Sequence, residues 1–170
     1  MKISTAIRAG KIALVFCIGL FSLLVGINNV VDYPSNFLFV QHVLSMDTVF
    51  SNSVLKNRAI TAPLLHHLAY GLIIFAEFAV GMLCLLGAAQ LLRHIKRDAE
   101  VFHQAKLLAV LGLSLGFILW FFGFMTVGAE WFLMWQSEMW NGQESAFRVI
   151  VCIGIVLLFI IQHETNTDMK

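Results

Sequence analysis

The sequence predicts an all-α membrane protein, a bundle of four transmembrane helices with a short interfacial helix in its first external loop. Three observations carry this. Hydrophobic residues make up 59% of the chain and charged ones 12%, against roughly 45–50% and 25% in soluble domains. Four apolar runs approach or exceed the roughly 20 helical residues that cross a hydrocarbon core. Short polar segments rich in Asn, Ser, Lys and Arg separate them. Four such spans use about 80 of the 170 residues, so the rest suffices for loops and ends but not for a soluble domain. The chain reads as one membrane domain.

The first span covers residues 11–31, KIALVFCIGLFSLLVGINNVV. Lys2, Arg8 and Lys11 before it resemble a signal peptide's start. The run is too long for an h-region, however, and Asn28, Asn29 and Asp32 follow where a small-residue cleavage site would be needed. It is read as an uncleaved span. In the loop 32–64, Asn36 to Met46 (NFLFVQHVLSM) is apolar but too short to cross. Asp32, Pro34, Ser35 and Asn36 offer turn and N-cap chemistry, so a helix lying at the interface is expected. Thr61 and Pro63 signal the start of the second span, residues 65–92. A basic link, 93–106, leads to the third, 107–128, whose helix could continue past Trp131 and Trp135 to Asn141 and Gly142. After a second loop, 129–146, the fourth span occupies 147–163.

Lys and Arg concentrate on the cytoplasmic side of membrane proteins. With the N-terminus inside, the inner segments hold Lys2, Arg8, Lys11, Arg93, Lys96, Arg97, Lys106 and Lys170. The outer ones hold only Lys56, Arg58 and Arg148. Both termini are therefore expected in the cytoplasm. Trp131, Trp135 and Trp140 cluster at the outer end of the third span, as interfacial aromatics do.

In lipid, helices meet through small residues, because apolarity alone gives no reason to associate. The first span carries Gly19, Ser22, Gly26 and Asn29 on one side. The third carries Ala109, Gly112, Gly116 and Gly123. On the second, Ala69, Ala76 and Gly87 align, while Gly81 and Ala88 lie about a quarter-turn away. The second helix is thus expected to meet more than one neighbour. An alternative use of the third helix's stripe is a homodimer interface.

Glu77 is the outstanding polar residue, near mid-span with apolar sequence on both sides. Such residues usually face a bundle interior or a watery cavity. Tyr70 and His66 share its face toward the outer side. The stripe reads either as a proton path or polar binding site, or as a neutral Glu hydrogen-bonded to Asn28, Asn29 or a backbone carbonyl. Arg148, near the outer end of the fourth span, either snorkels to headgroups or pairs with Asp32, Glu144, Glu130 or Glu77. Asp32 is the preferred partner, giving an outer polar cluster of Asn28, Asn29, Asp32 and Arg148.

Other chemistry finds little support. Net charge +1 provides no footprint for nucleic acid. Cys17, Cys84 and Cys152 all lie in apolar runs and suit packing rather than a disulfide or metal framework. Among six histidines only His42 with His66 could be considered as axial ligands of a haem b. No nucleophile-elbow, zinc-protease or nucleotide-binding motif occurs, so no enzyme and no cofactor are expected.

Two segments, NNVVDYPSNFLFVQHVLSMD (28–47) and WNGQESAFR (140–148), resemble those of an uncharacterised bacterial family of predicted small integral membrane proteins, a domain of unknown function. The likeness extends over nearly the whole chain, including the Glu of the second span. It implies a bacterial inner-membrane location and four spans, and no activity. The reading is of a non-enzymatic accessory or binding component in the lipid bilayer, with a membrane-protein partner or a second copy as candidate partners. Two alternatives stand beside it: a small proton-coupled transporter centred on Glu77, and a haem- or quinone-binding anchor of a redox complex.

The charge bias makes a direct prediction. Reporter fusions at Asn57 and Gly142 should give a periplasmic signal and one at Asp98 a cytoplasmic signal. A cytoplasmic signal at Asn57 would contradict the four-span topology.

Overall fold

The computed structural model describes residues 2–164. Lys170, counted above among the inner charges, lies outside them. Of the described residues 79% are helical, and among them four helices are long and apolar enough to span a membrane. Helix α1 runs Ile3–Val31 and α2 runs Tyr33–Ser45. Helix α3 is Pro63–Arg93 and the short α4 is Ala99–Gln104. Helix α5, Leu107–Ile118, continues as a π-helical segment, Leu119–Trp131, and α6 is Gln143–Ile161. One end of the bundle, the loop face, carries α2 and residues 46–62 and 132–142. The other, the terminal face, carries the N-terminus, residues 94–106 and the end of α6.

Helix α2 begins at Tyr33 rather than Asn36, with Pro34 in its first turn, where a missing N–H costs nothing. Asp32 does not cap the helix; its carboxylate accepts from the Ser35 hydroxyl at 2.5 Å. Met46 ends the helix in the left-handed region, φ 51°. The third span stops at Trp131. Leu133, also left-handed at φ 56°, turns the chain into a short 3-10 turn, Met134–Gln136.

Helix α3 is the centre of the bundle, packed mainly against α1 and α5. The two small-residue faces predicted for it meet different neighbours. On the α1 side, a Cβ on Gly81 would stand 2.5 Å from Leu23, and one on Gly19 would stand 3.0 Å from Cys84. On the α5 side, a Cβ on Gly87 would stand 2.5 Å from the Ala109 backbone nitrogen, and one on Gly112 2.7 Å from the Cys84 sulfur. Gly116 faces Val80 and Ile153, between α3 and α6. Gly112 and Gly116 are thus used for helix contacts inside one chain.

Three residues expected at helix contacts lie elsewhere. Gly123 belongs to the π-helical segment, where bonds such as Phe132 N–H to Val127 O at 3.0 Å span five residues. Each residue there turns through less than an α-helix's 100°, so Gly123 leaves the stripe of Gly112 and Gly116. A Cβ on it would meet nothing nearer than Leu119, at 3.9 Å. Ala69 and Ala76 line an apolar crevice between α2, α3 and the π-helical segment instead of a helix–helix seam. Helices α3 and α5 touch in the terminal half and part in the loop half.

Gly87→Ala should therefore lower the detergent melting temperature, since the new methyl meets backbone that cannot yield; overpacking typically costs about 1–3 kcal/mol. Gly71→Ala, where a Cβ meets nothing within 4 Å, should be neutral or stabilising by up to about 1 kcal/mol. Equal melting of the two variants would refute the contact.

Candidate functional sites on the two faces

The small-residue stripe of α1 places Asn29, in the last turn of that helix beside the loop face, against α3. There the Asn29 amide donates to Glu77 Oε2 at 2.8 Å. Both residues are buried, at 4% and 3% exposure. Asn29 Oδ1 in turn accepts from the Asn36 amide of α2 at 2.6 Å, and the Asn29 carbonyl accepts from the Tyr70 hydroxyl at 3.2 Å. Two turns toward the terminal face on α1, Ser22 donates to the Glu77 backbone carbonyl at 2.8 Å. A buried carboxyl is thereby linked through one amide to another on an exposed residue, tying α1, α2 and α3 together.

Tyr70 and His66 share the buried face of α3 with Glu77, as the sequence suggests. Neither has a hydrogen bond to Glu77. Tyr70 goes to Asn29. His66 Nε2 donates to the Ile60 carbonyl at 2.7 Å, and its Nδ1 is buried without a partner among the described residues. Above them, Tyr33 bonds His67 Nδ1 at 2.8 Å, and the rings of Phe37 and His67 stack at 4.2 Å.

The rest of the predicted outer cluster does not assemble. Asn28 is exposed, because it lies one residue, about 100°, from the buried stripe that carries Asn29. Asp32 is exposed and bonded to Ser35. Arg148 pairs with Glu144, one turn before it on α6, and not with Asp32; both side chains are largely solvent-facing, at 71% and 80% exposure. The pair lies on an exposed side of α6, whose buried face carries Ala146, Ile150 and Ile153. His42 and His66 each bond a different neighbour, His66 the Ile60 carbonyl. His42 bonds Asp47 at 2.7 Å and stacks on Trp140.

The terminal face holds a second polar group that sequence reasoning missed. Glu164 accepts from Lys11 at 2.6 Å, Lys106 at 2.8 Å and Arg8 at 3.4 Å. Arg8 also donates to the carbonyls of Ile95 and Arg97, at 2.9 and 2.6 Å. Lys11 and Lys106 both reach the Gln162 carbonyl, at 3.1 and 2.7 Å. The Arg8 guanidinium lies 4.6 Å from the centre of the Phe102 ring. All three cations are buried, at 8%, 2% and 3% exposure. Burial by itself would raise the Glu164 carboxyl, but the hydrogen bonds from Lys106 and Lys11, with their charges, outweigh it and hold the pKa below the ordinary value. The signal was present: the stripe of α1 continues from Asn29, Gly26, Ser22, Gly19 and Val15 to Lys11 and Arg8 at steps of three and four.

The geometry sits within a shared sequence pattern, since residues 7–163 match the family of predicted small integral membrane proteins designated DUF2165. The chain belongs to that family. No curated protein and no solved structure matches the chain. The DUF2165 match takes in every member of the Glu77 group, and all of the terminal-face group except Glu164. The family is one of unknown function and assigns no role to any of these residues.

The ion group makes a pH prediction. A carboxyl held low in the folded chain contributes stability above its unfolded pKa, about 4.3, and loses it as pH falls toward the folded value. Glu164→Gln should remove that dependence and, by leaving three buried cations without a counter-charge, cost about 3–5 kcal/mol at neutral pH. Detergent melting of both forms from pH 7 to acid checks it: the gap should be widest at pH 7 and close on acidification. A gap independent of pH would refute the carboxylate's role.

Proposed function

We propose that this integral membrane protein is a non-enzymatic binding or accessory component of a bacterial inner membrane, with its polar site on the periplasmic side. The observation that supports the reading is the Glu77–Asn29–Asn36 chain. It joins a buried carboxyl to the exposed start of α2, beside the Tyr33, Phe37 and His67 rings. That surface offers amide, phenol and imidazole groups to a neighbouring membrane protein. The link from Glu77 to the surface consists of amides, which hold a hydrogen-bonded geometry but are poor proton carriers. Tyr70 and His66 are bonded to backbone carbonyls rather than to Glu77. This arrangement favours a fixed polar site over a proton path, and no observation favours a haem or quinone anchor.

Isolation of the tagged protein from native membranes in mild detergent is expected to recover a stoichiometric membrane partner. Glu77→Gln should keep both the melting temperature and the partner, since Gln can still accept from Asn29. Glu77→Leu should melt lower by about 1–3 kcal/mol, because it orphans the buried Asn29 donor. Recovery of the wild-type protein with no partner would overturn the accessory reading. A Gln variant that melts normally but loses its partner would show that the ionisable carboxyl is needed, and would favour the proton-coupled alternative.

A further inference from the structure

The crevice in the loop half arises because α3 and the third span are held together only in the terminal half. Gly87, Gly112 and Gly116 bring α5 against α3 there. Beyond Ile118 the helix turns π-helical, and α2 lies across the gap. What remains is an apolar cavity of about 370 Å³, lined by residues that include Val40, Ala69, Ala76, Val127 and Met134. Ala69 and Ala76 are too short to fill it. Leu72, Ile118 and Phe122 on its lining are 66%, 55% and 58% exposed. They belong to spanning helices, so their exposed surface meets hydrocarbon, and the crevice is reached sideways from the bilayer.

The cover of the crevice bears charge. Leu55, Ala59 and Ile60 pack on the cluster that contains Val43, Phe132 and Met134, which themselves line the crevice. Between them stand Lys56 and Arg58. The Arg58 guanidinium lies 4.5 Å over the Trp131 ring and donates to the Trp131 carbonyl at 3.3 Å, at the end of the π-helical segment. Neither cation has a carboxylate partner among the described residues, whereas Arg148, the other cation of the loop face, is paired with Glu144. An apolar slot open to the bilayer thus has, in the loop segment packed on its lining cluster, two cations without a carboxylate partner among the described residues.

We infer that the crevice holds one acyl chain of an anionic glycerophospholipid, whose phosphate is met by Arg58 and Lys56. An apolar wall without polar groups suits a hydrocarbon chain. Arginine provides five donors of which the carbonyl of Trp131 takes one, leaving others for phosphate oxygens. The two features specify one amphipathic molecule, chain below and anion above.

The test is native mass spectrometry of the full-length protein released from vesicles containing equal amounts of phosphatidylglycerol and phosphatidylcholine. The wild type should retain one phospholipid, chiefly phosphatidylglycerol. The double variant K56Q/R58Q, altered only in the loop between α2 and α3, should lose preference for phosphatidylglycerol by about fivefold for each charge removed. Ala76→Phe should fill the crevice and release the lipid of either class; Ala69→Met is the milder filler should the Phe variant fail to melt cooperatively. Leu86→Phe, on lipid-facing surface elsewhere, should retain it. Equal retention by the wild type and both filled variants would overturn the proposal. So would an unchanged headgroup preference in K56Q/R58Q. Loss of a bound protein or of a second copy, rather than of lipid, in the filled variants would show that the crevice seats a helix and would likewise overturn it.

Discussion

The close approach of α3 to both α1 and α5 is the constraint on which the rest of the structure depends. Hydrocarbon surrounds the bundle, so exclusion of water cannot press one apolar helix against another. What remains is van der Waals contact, which falls off steeply with distance. It therefore requires backbones brought near each other at Gly19, Gly81, Gly87 and Gly112. Because these contacts lie on two faces of α3, one helix organises the others. Helix α6 then closes over Gly116 with Ile153.

Polar groups pin this packing at both ends, in different ways. On the loop side the hydrogen-bonded group is centred on the Asn29 amide, and its members come from α1, α2 and α3. On the terminal side it is ionic, with three cations converging on one carboxylate, Lys11 and Lys106 also reaching the Gln162 carbonyl at the end of α6 and Arg8 the carbonyls of Ile95 and Arg97 after α3. Buried cations are costly unless paired and hydrogen-bonded, and here each is held by both a carboxylate and a carbonyl or ring. The two groups share a single stripe of α1, so the register of α1 against α3 sets both at once.

The loss of α-helical periodicity in the third span shapes the loop half. Once bonding shifts to five-residue spacing, Gly123 turns off the contact stripe, and α3 and the third span no longer mesh. Ala69 and Ala76, which on α-helical spacing look like another packing seam, become the wall of a lipid-accessible crevice. A stripe of small residues thus has two structural meanings, contact or vacancy, depending on whether the facing helix keeps its period.

The sequence by itself determined the number and order of the spans, the helix at the start of the first loop and the α1 stripe. These follow from lengths of apolar run and from angular spacing along one helix, which are local properties. It also singled out Glu77 and Asn29, because a mid-span carboxyl and a polar residue on a small-residue stripe stand out against lipid-compatible sequence. Only the tertiary structure decided which groups meet. Asn28 and Asn29 are adjacent in sequence yet differ in burial, because their directions differ by a quarter-turn. Arg148 took its neighbour Glu144 rather than Asp32, and the partners of Arg8 and Lys11 lay more than 80 residues away, at the far ends of other helices. Pairings between helices depend on depth, rotation and crossing, and none of these is carried by the period of a single helix.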